Sequence, residues 1–193
     1  MSAVAGIFVG GQARRMGGRS KGNLPTAEGV TIVQKLKAAC DAAGIRVLLI
    51  GNAAAREAYA SENLQGVDDD RRAEGPLAGL VALLANATEG RAIALACDMP
   101  FVDEAILKRL LEDPSEAPAL AAKRGDTWEP FLARYDAKKM LPLALQAAHA
   151  GKLGLQSLLD EAGAAPFAMS TEEERALVDW DKPTDLPPKS VAP

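Results

Sequence analysis

An apolar run that stops at two glycines and continues into a basic loop constrains this chain more than any other stretch. Residues 4–9 are Val-Ala-Gly-Ile-Phe-Val, and Gly10 and Gly11 follow them. A short run of this composition, ended by glycine, is typical of a buried strand in a parallel sheet rather than of a helix. The loop therefore begins at the carboxyl end of the first strand, where open α/β sheets bind their ligands.

The loop concentrates positive charge in a chain whose formal net charge is −4. Glycine backbone lets N–H groups converge on an anion, and guanidinium and ammonium groups suit phosphate oxygens. These features predict a polyphosphate-binding loop, although a solvated basic turn is the simpler alternative. The glycines are Gly10, Gly11, Gly17 and Gly18, and the cations are Arg14, Arg15, Arg19 and Lys21.

Two common phosphate loops do not match this one. A P-loop closes with Gly-Lys-Ser/Thr, whereas Lys21 lies between Ser20 and Gly22. A dinucleotide fingerprint requires Gly-x-Gly-x-x-Gly, which the residues after Gly10 do not supply. Neither a P-loop nucleotide hydrolase nor a dehydrogenase of the dinucleotide-binding kind is expected.

The loop instead resembles the signature Leu-Ala-Gly-Gly-x-x-x-Arg-Met-Gly-Gly-x-x-Lys of the molybdenum cofactor guanylyltransferases. The matching segments are Phe8-Val9-Gly10-Gly11, Arg15-Met16-Gly17-Gly18 and Lys21, with Phe8 and Val9 as apolar departures. The resemblance implies transfer of GMP from GTP to molybdopterin, with release of pyrophosphate. A molybdopterin cytidylyltransferase of the same fold, or a non-catalytic nucleotide- or cofactor-binding delivery module, is the alternative.

Strand and helix patterns alternate along the chain. We predict strands at 4–9, 46–50, 64–67 and 92–97, and helices at 31–43, 53–61, 75–87 and 103–111, with Thr31 as an N-cap. A hairpin-like pair at 117–122 and 131–134 and helices at 137–150 and 155–161 follow. This order predicts an α/β fold, three-layer and Rossmann-like with a mainly parallel sheet, as in nucleotidyltransferases. We expect one domain over residues 1–186 and a disordered tail at 187–193.

Asp98 follows the fourth strand and is the candidate metal ligand. A hard carboxylate oxygen at the edge where the phosphate loop lies can hold Mg²⁺ against substrate phosphates. The alternative is an N-cap for the next helix, a position that Asp103 fits better. The family carries the same Cys-Asp-x-Pro-Phe/Tyr pattern, which here is Cys97-Asp98-Met99-Pro100-Phe101.

Gly75-Pro76-Leu77-Ala78-Gly79 carries a second resemblance, to the Gly-Pro-Leu-Ala-Gly of the guanylyltransferases, with Asp68 as the upstream aspartate. Small residues at a helix start permit close approach of a ring or a phosphate, but tight packing of the helix on the sheet also requires them. The run of acids at 68–70 otherwise has the character of a solvated loop. The resemblance implies nucleotide binding by Val9, Gly10, Gly11, Lys21, Asn52, Asp68, Gly75, Pro76, Leu77, Gly79 and Asp98, and catalysis by Arg15, Lys21 and Asp98.

The C-terminal part matches the family less well. The family pattern Asn-x-Asn-Thr-Pro-Glu-Asp/Glu-Leu is replaced by a segment with Asp179, Asp181 and Lys182. Asp181 is a second candidate Mg²⁺ ligand, and a carboxylate here can also repel an anionic acceptor. Lys152, Asp179 and Asp181 are the candidate acceptor-binding residues.

Composition excludes several other classes. The net acidic charge argues against a sequence-independent nucleic-acid binder, and no apolar run is long enough to span a bilayer. Cys40 and Cys97 are far apart, with no metal-binding pattern around them, so we expect buried thiols in a reducing compartment. We therefore expect a cytoplasmic protein that uses Mg²⁺, GTP and molybdopterin, free or carrying molybdenum. Its expected protein partners are molybdenum-insertion and molybdoenzyme-maturation proteins.

We expect Arg15→Ala and Lys21→Ala each to lower turnover by about 10²–10³, because each removes a donor to charge that develops on the phosphates. Steady-state transfer rates, with circular dichroism to verify folding, provide the measurement. Near-normal rates in both variants would make the loop a solvated basic turn.

Overall fold

The structure, a computed structural model, describes residues 3–9, 20–87 and 90–180. Its strands are β1 (Ala3–Phe8), β2 (Arg46–Ile50), β3 (Gln65–Val67), β4 (Arg91–Ala96), β5 (Ala119–Arg124), β6 (Thr127–Asp136) and β7 (Ala165–Pro166). Its α-helices are α1 (Ile32–Ala42), α2 (Ala53–Glu57), α3 (Gly75–Ala85), α4 (Glu104–Glu112), α5 (Ala137–His149) and α6 (Leu155–Glu161). Single 3-10 turns lie at Lys21–Asn23, Ala60–Glu62 and Glu173–Leu177.

The strands form one sheet of order β3-β2-β1-β4-β6-β5-β7. The first four in this order are parallel to one another, and β6 is antiparallel to β4 and to β5. The carboxyl ends of β1 to β4 therefore share one edge, together with the start of β6 and the end of β5. The predicted mainly parallel sheet is confirmed.

Both faces of the parallel strands are buried, and residue size differs between the faces. In β4, Ile93 and Leu95 pack in the core beneath α1 and α4, whereas Ala92 and Ala94 face the core beneath α3, α5 and α6. Helices on both faces explain why these strands are apolar at successive positions rather than at alternate ones. The predicted three layers are confirmed.

The structure extends and corrects the predicted hairpin. β6 spans ten residues rather than 131–134, because its pairing with β5 contains a bulge: Ala121 pairs with Ala133, but Ala122 pairs with Glu129. Leu132 adopts a φ of 58° inside the bulge, a conformation that L side chains rarely adopt. The Tyr135 hydroxyl donates to the Pro130 carbonyl at 2.7 Å and holds the bulge in place. The bulge lies where β6 meets the carboxyl edge of the sheet.

Arg134 joins β6 to the end of α4. Its side chain is 3% exposed, and its guanidinium donates to the carbonyls of Leu110 at 3.0 Å, Asp113 at 2.8 Å and Ser115 at 2.5 Å. Burial, with the nearby Arg91, lowers the pKa of Arg134. The carbonyls at a helix end have no partner within the helix, so this arginine satisfies groups that would otherwise be buried and unpaired.

We expect Arg134→Met to lower the free energy of unfolding by about 2–4 kcal/mol, because one buried and two partly buried carbonyls lose their donor. Urea unfolding followed by circular dichroism measures the change. Arg46→Met is the matched control, since Arg46 is exposed and donates to one backbone carbonyl, that of Asn86, and to the Gln65 side chain. Equal effects of the two substitutions would contradict the capping role.

Candidate active site

Asp98 lies just beyond β4 at the carboxyl edge of the sheet. Its backbone carbonyl accepts a hydrogen bond from the Trp180 N–H at 3.0 Å. The helix that follows is capped by Asp103 instead, whose carboxylate accepts from the Ile106 N–H at 3.0 Å. The prediction that Asp103 caps this helix is confirmed, so the Asp98 carboxylate is not the helix cap.

Lys21 supplies the cation beside this carboxylate. Its Nζ lies 2.8 Å from Asp98 Oδ2, and the two side chains are 26% and 14% exposed. The 3-10 turn at Lys21–Asn23 holds the lysine in place, because the Gly22 N–H donates to the Tyr59 hydroxyl at 3.1 Å. Tyr59 is itself buried, and burial raises its pKa.

The ion pair lies in a cavity of about 280 Å³ at this edge of the sheet. The cavity joins residues from the 3-10 turn at Lys21–Asn23, from the ends of β4 and β5, from the bulge of β6 and from the C-terminal segment. Its described lining is Lys21, Ala96, Asp98, Met99, Arg124, Glu129, Phe131, Leu177 and Asp179. Lys21, Asp98 and Asp179, three of the predicted site residues, are thus brought together.

The structure gives local structural roles to three other predicted nucleotide-binding residues. The Val9 N–H donates to the Ile50 carbonyl at 2.9 Å. Asn52 caps α2, with its Oδ1 accepting from the Ala55 N–H at 2.9 Å. Asp68 is 72% exposed and pairs with Arg56 at 2.7 Å. Their contact with a nucleotide stays a prediction.

The two neighbours of Asp68 differ in their surroundings. Asp70 accepts two hydrogen bonds from the Arg72 guanidinium, and these bonds are the main reason that its pKa is lowered to about 2. Burial, together with the charge of Asp68, raises the pKa of Asp69. The run at 68–70 is therefore a charged loop in which Asp68 pairs with Arg56 of α2 and Asp70 with Arg72, in line with the simpler interpretation of its sequence.

The Gly75–Gly79 segment begins α3 at the same edge of the sheet. Gly75 has a φ of 58°, which glycine tolerates and other residues rarely adopt, and Pro76 occupies the first turn. Leu77 is fully buried, and a Cβ on Gly79 would lie 2.6 Å from Phe8 Cε1. Gly79 thus has the helix-on-sheet packing role. Leu77 and Gly79 are both buried, so their contact with a nucleotide stays a prediction.

Other predicted residues lie outside the described ranges or away from the cavity. Gly10, Gly11, Arg15, Asp181 and the tail at 187–193 are outside the described residues. Lys152 lies in the loop between α5 and α6, where it is exposed and pairs with Glu161 at 2.7 Å. It is not among the residues that line the cavity, so its contact with the acceptor stays a prediction.

Sequence reasoning missed Arg124, Glu129 and Phe131. Arg124 Nε lies 2.9 Å from Glu129 Oε1, and the Phe131 ring packs edge-on against Phe8 with centroids 5.0 Å apart. Burial raises the pKa of Glu129, the Arg124 charge opposes that rise, and the Asp179 charge adds to it. The sequence contains one signal for these residues: Arg124 and Glu129 are charged and lie on either side of the Gly125-Asp126 turn, with Pro130 next to Glu129.

Neither cysteine is a candidate nucleophile. Cys40 and Cys97 are buried and unpaired thiols. Burial raises the pKa of Cys40 to about 12 and that of Cys97 to about 11. A thiol protonated at neutral pH is a poor nucleophile, so both cysteines act as small core residues, as predicted.

The donor set at the cavity fits Mg²⁺. This ion is usually held by one or two carboxylates together with substrate phosphates, rather than by a cage of protein ligands. Asp98 supplies such a carboxylate, and the Lys21 ammonium already occupies the position beside it that a cation would take. No cluster of three or more His, Cys, Asp or Glu suited to a metal is found in residues 3–9, 20–87 and 90–180.

Residues 5–166 match the family model of the MobA-like NTP transferase domain. The chain belongs to this family. A relative from Pseudomonas putida, a molybdenum cofactor guanylyltransferase, is 33% identical over 184 residues, which cover 93% of each chain.

Solved structures share the fold of this MobA-like chain. Molybdopterin-guanine dinucleotide biosynthesis protein A from Archaeoglobus fulgidus has a TM-score of 0.77 at 22% identity and covers 95% of this chain and 94% of its own. A nucleotidyl transferase from Methanothermobacter thermautotroptrophicus has a TM-score of 0.71 at 20% identity and covers 95% of this chain and 94% of its own. The predicted α/β nucleotidyltransferase fold is confirmed.

We expect Asp98→Asn to fold, to bind nucleotide measurably and to lose nearly all nucleotidyl transfer, even at raised Mg²⁺. Asn keeps the shape of the side chain but removes the charge that attracts a cation. Loss of the partly exposed ion pair should lower the melting temperature by only about 2–4 °C. Transfer rates measured across a Mg²⁺ titration test this expectation.

Asp103→Asn is the matched control, because asparagine caps a helix about as well as aspartate does. It should retain both stability and activity. Full transfer by Asp98→Asn, with an unchanged Mg²⁺ requirement, would show that Asp98 is structural. The metal would then belong to Asp181 or to one of the aspartates at 68–70.

Proposed function

We propose that this protein transfers GMP from GTP to the phosphate of molybdopterin, forming the guanine dinucleotide cofactor and releasing pyrophosphate. The Lys21–Asp98 ion pair carries the proposal, because it joins two motifs of the guanylyltransferase pattern in one cavity. The Pseudomonas putida guanylyltransferase, similar over 93% of the chain, supports the same reaction. The acceptor is molybdopterin, either free or already carrying molybdenum.

The reaction is an in-line displacement at the α-phosphorus. An acceptor phosphate oxygen forms the new bond to this phosphorus, the bond to the bridging oxygen breaks, and pyrophosphate leaves with the bonding electrons. Because the acceptor oxygen is already anionic, no general base is needed, and catalysis consists of positioning and charge neutralisation. The described cavity lining accordingly offers charged groups rather than an imidazole or a thiol.

Lys21 and Asp98 exchange partners when the nucleotide enters. We assign Lys21 Nζ to the phosphate oxygens, where an ammonium group balances charge that moves towards the leaving group. The Asp98 carboxylate would hold the metal ion, proposed to be Mg²⁺, with Asp181 as a second candidate ligand. When bound, Mg²⁺ supplies positive charge to the phosphate oxygens. Arg15 has the same phosphate-binding role in this proposal.

The two substrates occupy opposite sides of Asp98. We assign the nucleotide to the side of β1, β2 and β3, where Val9, Asn52, Asp68 and the Gly75–Gly79 segment lie. Gly10 and Gly11, which are outside the described residues, are further proposed contacts. Within the Gly75–Gly79 segment, Gly75 and Pro76 are exposed, whereas Leu77 and Gly79 are buried. The acceptor then lies on the side of β6 and β5, near Asp179, with Asp181 and Lys152 as further contacts.

We also propose a cytoplasmic location. Two buried free thiols are compatible with a reducing compartment. Among the helices of the described residues, none has the length and the hydropathy of a membrane-spanning segment. The product is a cofactor that must reach apo-enzymes, so molybdenum-insertion and molybdoenzyme-maturation proteins are the expected partners.

We expect GTP with Mg²⁺ to raise the melting temperature more than CTP, ATP or UTP does. Gly10 and the Gly75–Gly79 segment match the guanine-using branch, and at equal concentration a ligand that binds the native state more tightly stabilises it more. A thermal-shift comparison at equal concentrations measures the ranking. A larger shift with CTP would indicate a cytidylyltransferase.

Release of pyrophosphate from GTP, measured with molybdopterin present and then omitted, separates an enzyme from a binding module. A catalyst requires the acceptor and the metal ion for release. A delivery module would show the GTP thermal shift without any release.

A further inference from the structure

The charges around the cavity are unfavourable for a phosphate acceptor. Among the residues that line it, the carboxylates are Asp98, Glu129 and Asp179 and the cations are Lys21 and Arg124. Lys21 is engaged by Asp98 at 2.8 Å. Because the proposed function, on which this inference rests, brings an acceptor phosphate to Asp98, another cation must offset Glu129 and Asp179.

Arg124 lies on the acceptor side of the cavity. It is the last residue of β5 and pairs with Thr127 at the start of β6. In the strand order, β6 and β5 lie beyond β4 on the side away from β1, after which the phosphate loop begins. Arg124 is therefore separated from the loop by the strand that carries Asp98. A ligand group bound by Arg124 approaches Asp98 from the side opposite the nucleotide.

The guanidinium of Arg124 is oriented from two directions. Its Nε lies 2.9 Å from Glu129 Oε1, and its Nη2 donates to the Leu177 carbonyl. The side chain nevertheless remains 53% exposed, and within the described ranges its Nη1 makes no hydrogen bond. A planar guanidinium with unused N–H groups suits a phosphate, because it donates two parallel hydrogen bonds.

We propose that Arg124 binds the phosphate of the acceptor and thereby determines which acceptor the site accepts, with Glu129 as its positioning residue. Glu129 and the Leu177 carbonyl hold the guanidinium in one orientation, which reduces the entropy lost when the acceptor binds. The guanidinium also offsets part of the negative charge of Glu129 and Asp179, which would otherwise repel an anion more strongly. The site thus selects acceptors that end in a phosphate.

Arg124→Gln tests this role. We expect it to raise the KM for molybdopterin by about 10- to 100-fold, because a charge-assisted pair of hydrogen bonds is lost. The KM for GTP should change less than about twofold, since the nucleotide lies on the other side of Asp98. Arg124→Lys, which keeps the charge but loses the planar fork, should give an intermediate value.

Calorimetric binding of molybdopterin, with a non-hydrolysable GTP analogue present, provides a readout that does not depend on turnover. Arg124→Gln should weaken binding of molybdopterin but not of dephosphorylated molybdopterin, whereas wild type should prefer the phosphorylated form. Arg46→Gln is the matched control, because Arg46 also donates to a backbone carbonyl and a neighbouring side chain but lies at the amino end of β2. It should bind both forms as wild type does.

Equal molybdopterin affinity in Arg124→Gln and wild type would overturn the inference. So would an equal loss for both forms of molybdopterin, or a parallel loss for GTP, because either result indicates a purely structural arginine. If the wild-type protein binds GTP but not molybdopterin, both the proposed acceptor and the proposed role of Arg124 are wrong. One that binds no GTP would overturn the proposed function itself.

Discussion

The ion pair of Lys21 and Asp98 is the interaction on which the rest of the site depends, because it joins segments 77 residues apart at one edge of the sheet. Its side chains are 26% and 14% exposed, so water screens their attraction only in part. Asp98 shares its cavity with two further carboxylates, Glu129 and Asp179, and Lys21 offsets part of this negative charge. Charge balance at this pair therefore governs what the cavity can bind.

The surrounding structure holds each half of the pair from a different element. The Gly22 N–H donates to the buried Tyr59 hydroxyl and fixes the turn that carries Lys21. The Trp180 N–H donates to the Asp98 carbonyl and ties the C-terminal segment to the end of β4. Arg134 binds the last carbonyls of α4 to β6. Catalysis that depends on positioning needs such rigid support, because small displacements of the catalytic side chains lower the reaction rate strongly.

The parallel strands and most helices were predictable because their signals are local. Ala92 and Ile93 are buried on opposite faces of β4, and a strand buried on both faces is continuously apolar in any context. Thr31 makes a capping box with Gln34, a pattern visible within four residues. The full length of β6 was not predictable, because its bulge at Leu132 depends on pairing with β5 and on the hydroxyl of Tyr135.

The sequence by itself determined the α/β order, the family pattern and the position of Asp98 at a strand end, since each rests on residues close together in the chain. The tertiary structure alone decided that Arg124 and Glu129 share the cavity of Asp98. It also decided that Gly79 is needed for packing against Phe8. Antiparallel pairing of β6 with β4 and β5 brings the hairpin to the carboxyl edge of the sheet. The sequence pattern does not predict such pairing between distant segments, because local periodicity reports only on neighbouring residues.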